Sequence, residues 1–177
     1  MLHTRGWRGT MLEFETGLRL RARNGNLETE TEIARRVMTK AIEMFRSEPG
    51  WSNRRGTYWL MADELTGERI DLIFLGEIDP YQEHRFLHNS HEKALRLARH
   101  PHHLSSSQSR DPRNDKFCGA IRTRLGIFSM SGLPEYGDEI VMLRVAIEVG
   151  ALSLNRAKKI ARLSRNPYKA AFLRVAL

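Results

Sequence analysis

This 177-residue chain contains one cysteine, Cys118. A single thiol excludes an internal disulfide framework and suits a reducing compartment. The chain also lacks any run of 18 apolar residues, so the sequence holds no candidate bilayer-spanning helix. Arg5 and Arg8 are not followed by an apolar stretch, which argues against a secretory signal and makes a cytoplasmic location the expectation. No glycine-rich phosphate loop, no HExxH and no CxxC is present, so the signatures of nucleotide-binding loops, zinc peptidases and dithiol redox centres are missing. Cys118 itself precedes Gly119 in a stretch that reads as a buried strand, where a small core residue is expected rather than a nucleophile.

The remaining absence is local. Residues 151–177 contain no acidic side chain and seven basic ones, among them Lys158, Lys159, Arg162 and Arg165. The whole chain carries a formal charge of +8, so residues 1–150 are close to neutral and the excess belongs to the last segment. Hydrophobic content of 41% and charged content of 28% are those of a globular protein, and the length suits one domain with a real core.

Three segments follow from the patterning: a flexible leader over 1–11, an α/β domain over 12–150 and a basic helical tail over 151–177. Leu12, Phe14, Thr16, Leu18 and Leu20 alternate as in a half-buried strand. Asn24-Gly25-Asn26 ends it, and Asn26 is placed to cap a helix whose apolar positions run from Ile33 to Phe45. Thr57–Glu64 and Glu68–Gly76 form a hairpin turning at Leu65-Thr66-Gly67. Asp79-Pro80 starts a helix to about Arg99, and 101–116 is a polar loop long enough to be functional or disordered. A second hairpin spans Phe117–Arg122 and Leu125–Ser131, and Asp138 is placed to cap a helix through Val149. Two hairpins separated by helices imply a five-stranded, mainly antiparallel sheet with helices packed on it.

Six of the seven histidines lie between residues 84 and 103. His84, His88 and His91 fall at i, i+4 and i+7, within about 60° of one another on a helix. Neutral imidazole is the commonest metal ligand, so the stripe is a candidate site for a metal or haem iron. Arg85, Arg96 and Arg99 are candidate partners for the carboxylates of such a cofactor. The same residues also describe the polar edge of an amphipathic helix. Ser131-Gly132, just before a helix start, is a candidate anion contact through backbone N–H groups.

The run GAIRTRLGIFSMSGLPEYGDE, from Gly119 through Ser131-Gly132 to Asp138-Glu139, resembles the closing hairpin, Ser-Gly turn and Asp-Glu helix start of the GlcG/HbpS-like family, the haem-degrading domain family. Ser90, Lys93 and Ala94 resemble a Ser followed by Lys-Ala on that family's middle helix, and Asp63 and Gly67 echo its first hairpin. The likeness covers roughly residues 12–150. It implies a profilin-like five-stranded fold, an oligomer, and binding of haem, another tetrapyrrole or a small organic ligand. The segment Leu75-Gly76-Glu77-Ile78-Asp79 departs from the family by lacking its Arg and Met.

The expected function is therefore small-ligand binding by a homo-oligomer, with haem as the leading ligand. The alternative is a non-enzymatic interaction module using the basic helix on nucleic acid or a partner protein. In that helix Ala157, Ile160, Ala161 and Ser164 share one face and Lys158, Arg162 and Arg165 the other, so docking on the body or on another subunit competes with contact to nucleic acid or an anionic membrane surface.

Overall fold

The structure, a computed structural model, describes residues 21–23, 26–48 and 50–172. Two short strands, β1 (Arg21–Arg23) and β2 (Asn26–Glu28), pair with each other as a separate ribbon. Helix α1 (Glu30–Arg46) begins at Thr29, whose hydroxyl accepts from the Glu32 N–H while the Glu32 carboxylate accepts from the Thr29 N–H. This reciprocal cap satisfies two otherwise orphaned donors. The helix cap is thus Thr29, and Asn26 belongs to a strand. Ile33, Ala34, Val37, Met38, Ala41, Ile42 and Phe45 make the buried face of α1, as their spacing predicts.

Strands β3 (Gly56–Ala62) and β4 (Arg69–Gly76) form the first hairpin. Its turn is shaped by Asp63, whose carboxylate accepts from the N–H groups of Leu65 and Thr66. Helix α2 (Pro80–Ala98) starts where Asp79-Pro80 places it, with Asp79 accepting from the Tyr81 N–H. Strands β5 (Ala120–Thr123) and β6 (Gly126–Ser131) form the second hairpin, followed by α3 (Glu135–Glu148), α4 (Leu154–Leu163) and the short α5 (Lys169–Phe172).

The sheet is four-stranded and antiparallel, in the order β4-β3-β6-β5, and not the five-stranded sheet of the profilin-like expectation. The correction arises at the N-terminal side. The stretch that enters α1 pairs with itself as the β1–β2 ribbon instead of joining the sheet, and the strand expected over 12–20 lies outside the described residues.

Strand alternation sends successive side chains to opposite faces, and here each face is covered. Leu60, Ala62, Ala120 and Ile127 pack against Ala94, Leu97 and Ala98 of α2. Trp59, Ile73, Ile121, Phe128 and Met130 pack on the other side against α1, α3 and α4. The basic segment is part of this second core: Ala151, Leu152, Ala157, Ile160 and Ala161 are buried in it. No helix among the described residues is long and apolar enough to cross a membrane.

The long polar loop has a defined path. It contains short 3-10 turns at Ser106–Ser109 and Pro112–Asn114, and Ser105 bridges to Ile121 so that the loop shields the β5 edge. Arg96 of α2 fixes it from beneath, donating to the carbonyls of Ser106 and Ser109 at 2.7 and 3.0 Å and to Phe117.

Candidate functional site

A cavity of about 570 Å³ opens between the first half of α2, the segment after α1 and the turn from β6 into α3. Its α2 wall is built by Tyr81, Gln82, Arg85, Phe86, Asn89 and Lys93. Tyr81, Arg85, Asn89 and Lys93 recur every four residues, so the helix presents them as one stripe directed at the cleft.

At the base, Lys93 Nζ lies 2.9 Å from Asp138 Oδ2 and donates to the Met130 carbonyl at 2.8 Å. Both side chains are only 2% exposed. The other Asp138 oxygen accepts from the Leu133 N–H at 2.9 Å. Burial pushes the Asp138 carboxyl up to about 6, against the opposing pull of Lys93. Gly119 makes the pair possible. A Cβ there would lie 2.8 Å from Asp138 Cβ and 2.9 Å from Lys93 Nζ, and the backbone has φ +128°, which disfavours any side chain. Gly132 is equally constrained, because a Cβ would meet the Gly56 carbonyl oxygen at 2.4 Å.

The helix expected to start at Asp138 starts instead at Glu135, after Pro134. Asp138 is therefore a buried member of the first turn that caps the turn leading into α3, and not the N-cap of that helix. Glu135 is engaged by Arg110, which pairs with it and lies 5.6 Å from the Tyr136 ring centroid. Burial works the other way, yet Arg110 and the Cys118 N–H hold Glu135 below the usual carboxylate range. Cys118 itself is fully buried and burial pushes its thiol up, away from nucleophilic use.

Both acids of the lining are thus committed to partners, whereas two of its cations are not. The Arg54 and Arg85 side chains make no hydrogen bond or ion pair among the described residues, and the Arg54 Nε is buried without a partner. The Arg54 guanidinium carbon lies 5.7 Å from the Trp51 ring centroid and 5.6 Å from that of Phe86. The guanidinium is held against two aromatic rings and raises the positive field over Asp138. The cleft is consequently electropositive, aromatic and open to solvent. Arg54, Trp51 and Phe86 were not singled out by sequence reasoning. The readable signal for the helix wall was the four-residue recurrence from Tyr81 to Lys93.

The sequence-predicted residues separate. Arg85 and Ser131 line the cleft and Gly132 adjoins it. His84 and His88 are exposed on another stripe of α2, about 120° from the lining residues. His91 is half-buried, with Nδ1 2.9 Å from the Leu87 carbonyl. No group of three His, Cys, Asp or Glu among the described residues is arranged to hold a metal ion. Arg96 is consumed by Glu92 and the loop carbonyls, so it has no free edge for a cofactor. Haem with an imidazole ligand does not fit this cleft, since no histidine, cysteine or methionine lines it. Its tyrosines are the remaining donors, and burial pushes the Tyr136 hydroxyl up, against the phenolate form.

Lys158, Lys159 and Arg162 are exposed on α4, away from its buried Ala157, Ile160 and Ala161, and Arg165 is exposed just after the helix ends. Neither a family model nor a curated protein nor a solved structure matches this chain.

Proposed function

We propose that this protein binds a small anionic ligand in the cleft between α2 and the β6–α3 turn. The observation that carries the reading is Arg54, a guanidinium with a buried, unbonded nitrogen at the edge of a 570 Å³ cavity whose acids are already paired. Arg54 lines the cavity, and a guanidinium without a counter-ion beside a cleft is suited to an anion brought by a ligand. The reading keeps the small-ligand function implied by the GlcG/HbpS-like resemblance, and Lys93 and Asp138, both quoted for it, lie at the cleft's base.

The test uses thermal unfolding of the full chain with a panel of small organic and inorganic anions and with haemin, in parallel with the cleft-filling variant Asn89→Trp. A ligand that binds the native cleft raises the melting temperature in a concentration-dependent way, and the filled cleft removes that rise. Parent and Asn89→Trp responding alike to every compound would overturn the proposal.

A second reading rests on a separate observation. Lys158, Lys159 and Arg162 of α4 and Arg165 just after it face solvent while the apolar side of the helix is spent on the core, so an interaction surface for nucleic acid or an acidic partner is available on the same molecule. Binding to DNA or RNA that weakens steeply with salt, and is lost in Lys158→Glu/Arg162→Glu, would support it.

A further inference from the structure

Resting on that cleft reading, we infer that the ligand is a small planar aromatic carboxylate. Its carboxylate is received by Arg54, and its ring lies among the aromatic side chains of the cleft.

The charge follows from which groups are left over. Lys93 is matched by Asp138 and Glu135 by Arg110, which leaves the Arg54 guanidinium as a charge without a counter-ion in the lining, and an anion answers it better than a neutral acceptor does. The shape follows from Arg54's own neighbours. A guanidinium resting against Trp51 and Phe86 keeps a fixed plane, so its N–H groups form an oriented fork that matches the two oxygens of a carboxylate. A bare inorganic anion would use that fork but leave the aromatic lining idle. Tyr136, Phe117 and Tyr81 offer ring faces and edges across the cleft, and such surfaces favour an aromatic ring over an aliphatic one of equal size. Arg85, exposed at the rim, can take a second polar substituent or remain in water.

Isothermal titration of the full chain with 2-naphthoate, cyclohexanecarboxylate and inorganic phosphate tests this assignment. 2-Naphthoate is expected to bind about tenfold more tightly than cyclohexanecarboxylate, with phosphate weakest. Arg54→Gln should weaken 2-naphthoate by about tenfold or more, and Arg54→Lys should not restore it, because an ammonium lacks the fork and the stacking plane. Unchanged thermal unfolding of both variants without ligand verifies that they fold. Equal binding of the two carboxylates, both lost in Asn89→Trp, overturns the aromatic assignment and leaves the cleft standing. 2-Naphthoate binding that is insensitive to Arg54→Gln but lost in Asn89→Trp overturns the anchor alone. Binding that survives Asn89→Trp, or none with any of the three, overturns the assignment together with the cleft reading.

Discussion

Lys93 and Asp138, 45 positions apart in the chain, hold each other at 2.9 Å with both side chains withdrawn from water. The contact joins α2 to the first turn of α3 beneath the cleft. It fixes the wall against the turn that completes the cavity, and Gly119 supplies the space for it.

Breaking this pair should cost far more than removing it. Asp138→Leu or Lys93→Met leaves a buried group uncompensated and is expected to destabilise by about 3–5 kcal/mol. Lys93→Met/Asp138→Leu should lose much less than the two single effects combined. Urea unfolding of the four proteins measures the coupling, and strict additivity would show that the two charges do not depend on each other.

The pair also sets a pH response. The Asp138 carboxyl stands at about 6 when folded and at the ordinary 3.8 when unfolded, so the native state holds the proton more tightly. The stability this group contributes is complete below the unfolded value and is lost as pH rises through the folded one. Protonation also frees the Lys93 charge, so 2-naphthoate, ionised throughout, should bind more tightly at pH 5 than at pH 7. Asp138→Asn should flatten that dependence. A carboxyl titration by NMR with its midpoint near or below 4 would contradict the assignment.

Gly119→Ala tests the packing under the cleft. The added methyl group would press on the backbone, on Asp138 Cβ and on Lys93 Nζ at a φ of +128°. A loss of about 1–3 kcal/mol is expected, with weakened 2-naphthoate binding, since both strain and a displaced ion pair are involved.

The histidines of α2 should prove dispensable for the cleft. His84→Ala/His88→Ala/His91→Ala is expected to keep 2-naphthoate affinity and to leave the absorption spectrum of any haemin complex unchanged. A Soret band that shifts or disappears in the triple variant would return the stripe to the role its spacing first suggested.

Truncation before residue 153 should unfold the domain rather than trim it. It removes Ala157, Ile160 and Ala161 from the core and takes Ser164 and Asn166 away from Glu139. A fully buried isoleucine alone contributes about 1.5–3 kcal/mol, so a drop in melting temperature of many degrees is the expected result. A shortened chain that melts with the parent would show that the segment is not part of the core.

Much of the architecture was legible because it follows from local chemistry. The Asp79-Pro80 helix start, the hairpin turn at Leu65-Thr66-Gly67 and the apolar stripe from Ile33 to Phe45 each depend on residues close in sequence. The four-stranded sheet was not, because strand membership depends on which edge a segment finds, and alternation alone does not choose one. Asp138 shows why the site was harder. Its position near a helix start fits an N-cap, and only the approach of Lys93 and Gly119 from other elements makes it a buried acid. The histidines were misleading for a related reason. Composition drew attention to them, while helix rotation placed the Tyr81–Lys93 stripe, with no unusual composition, toward the cavity. Arg54 carried no sequence signal, since its significance lies in what it fails to bond.

Glu139 is fully buried and has no cation among its hydrogen-bond partners. It is satisfied by the hydroxyls of Ser105 and Ser164 and by the Asn166 amide, from the polar loop and the segment after α4. The buried acid is tolerable only while these donors are present. Across related sequences these four positions should therefore drift as a set. A lineage that replaces Glu139 by an apolar residue loses one reason to keep Ser105, Ser164 and Asn166, whose bonds to Ser107, Ile160, Tyr136 and Tyr168 remain. One that keeps the acid inherits all three, although the outermost of them stand 61 positions apart in the chain.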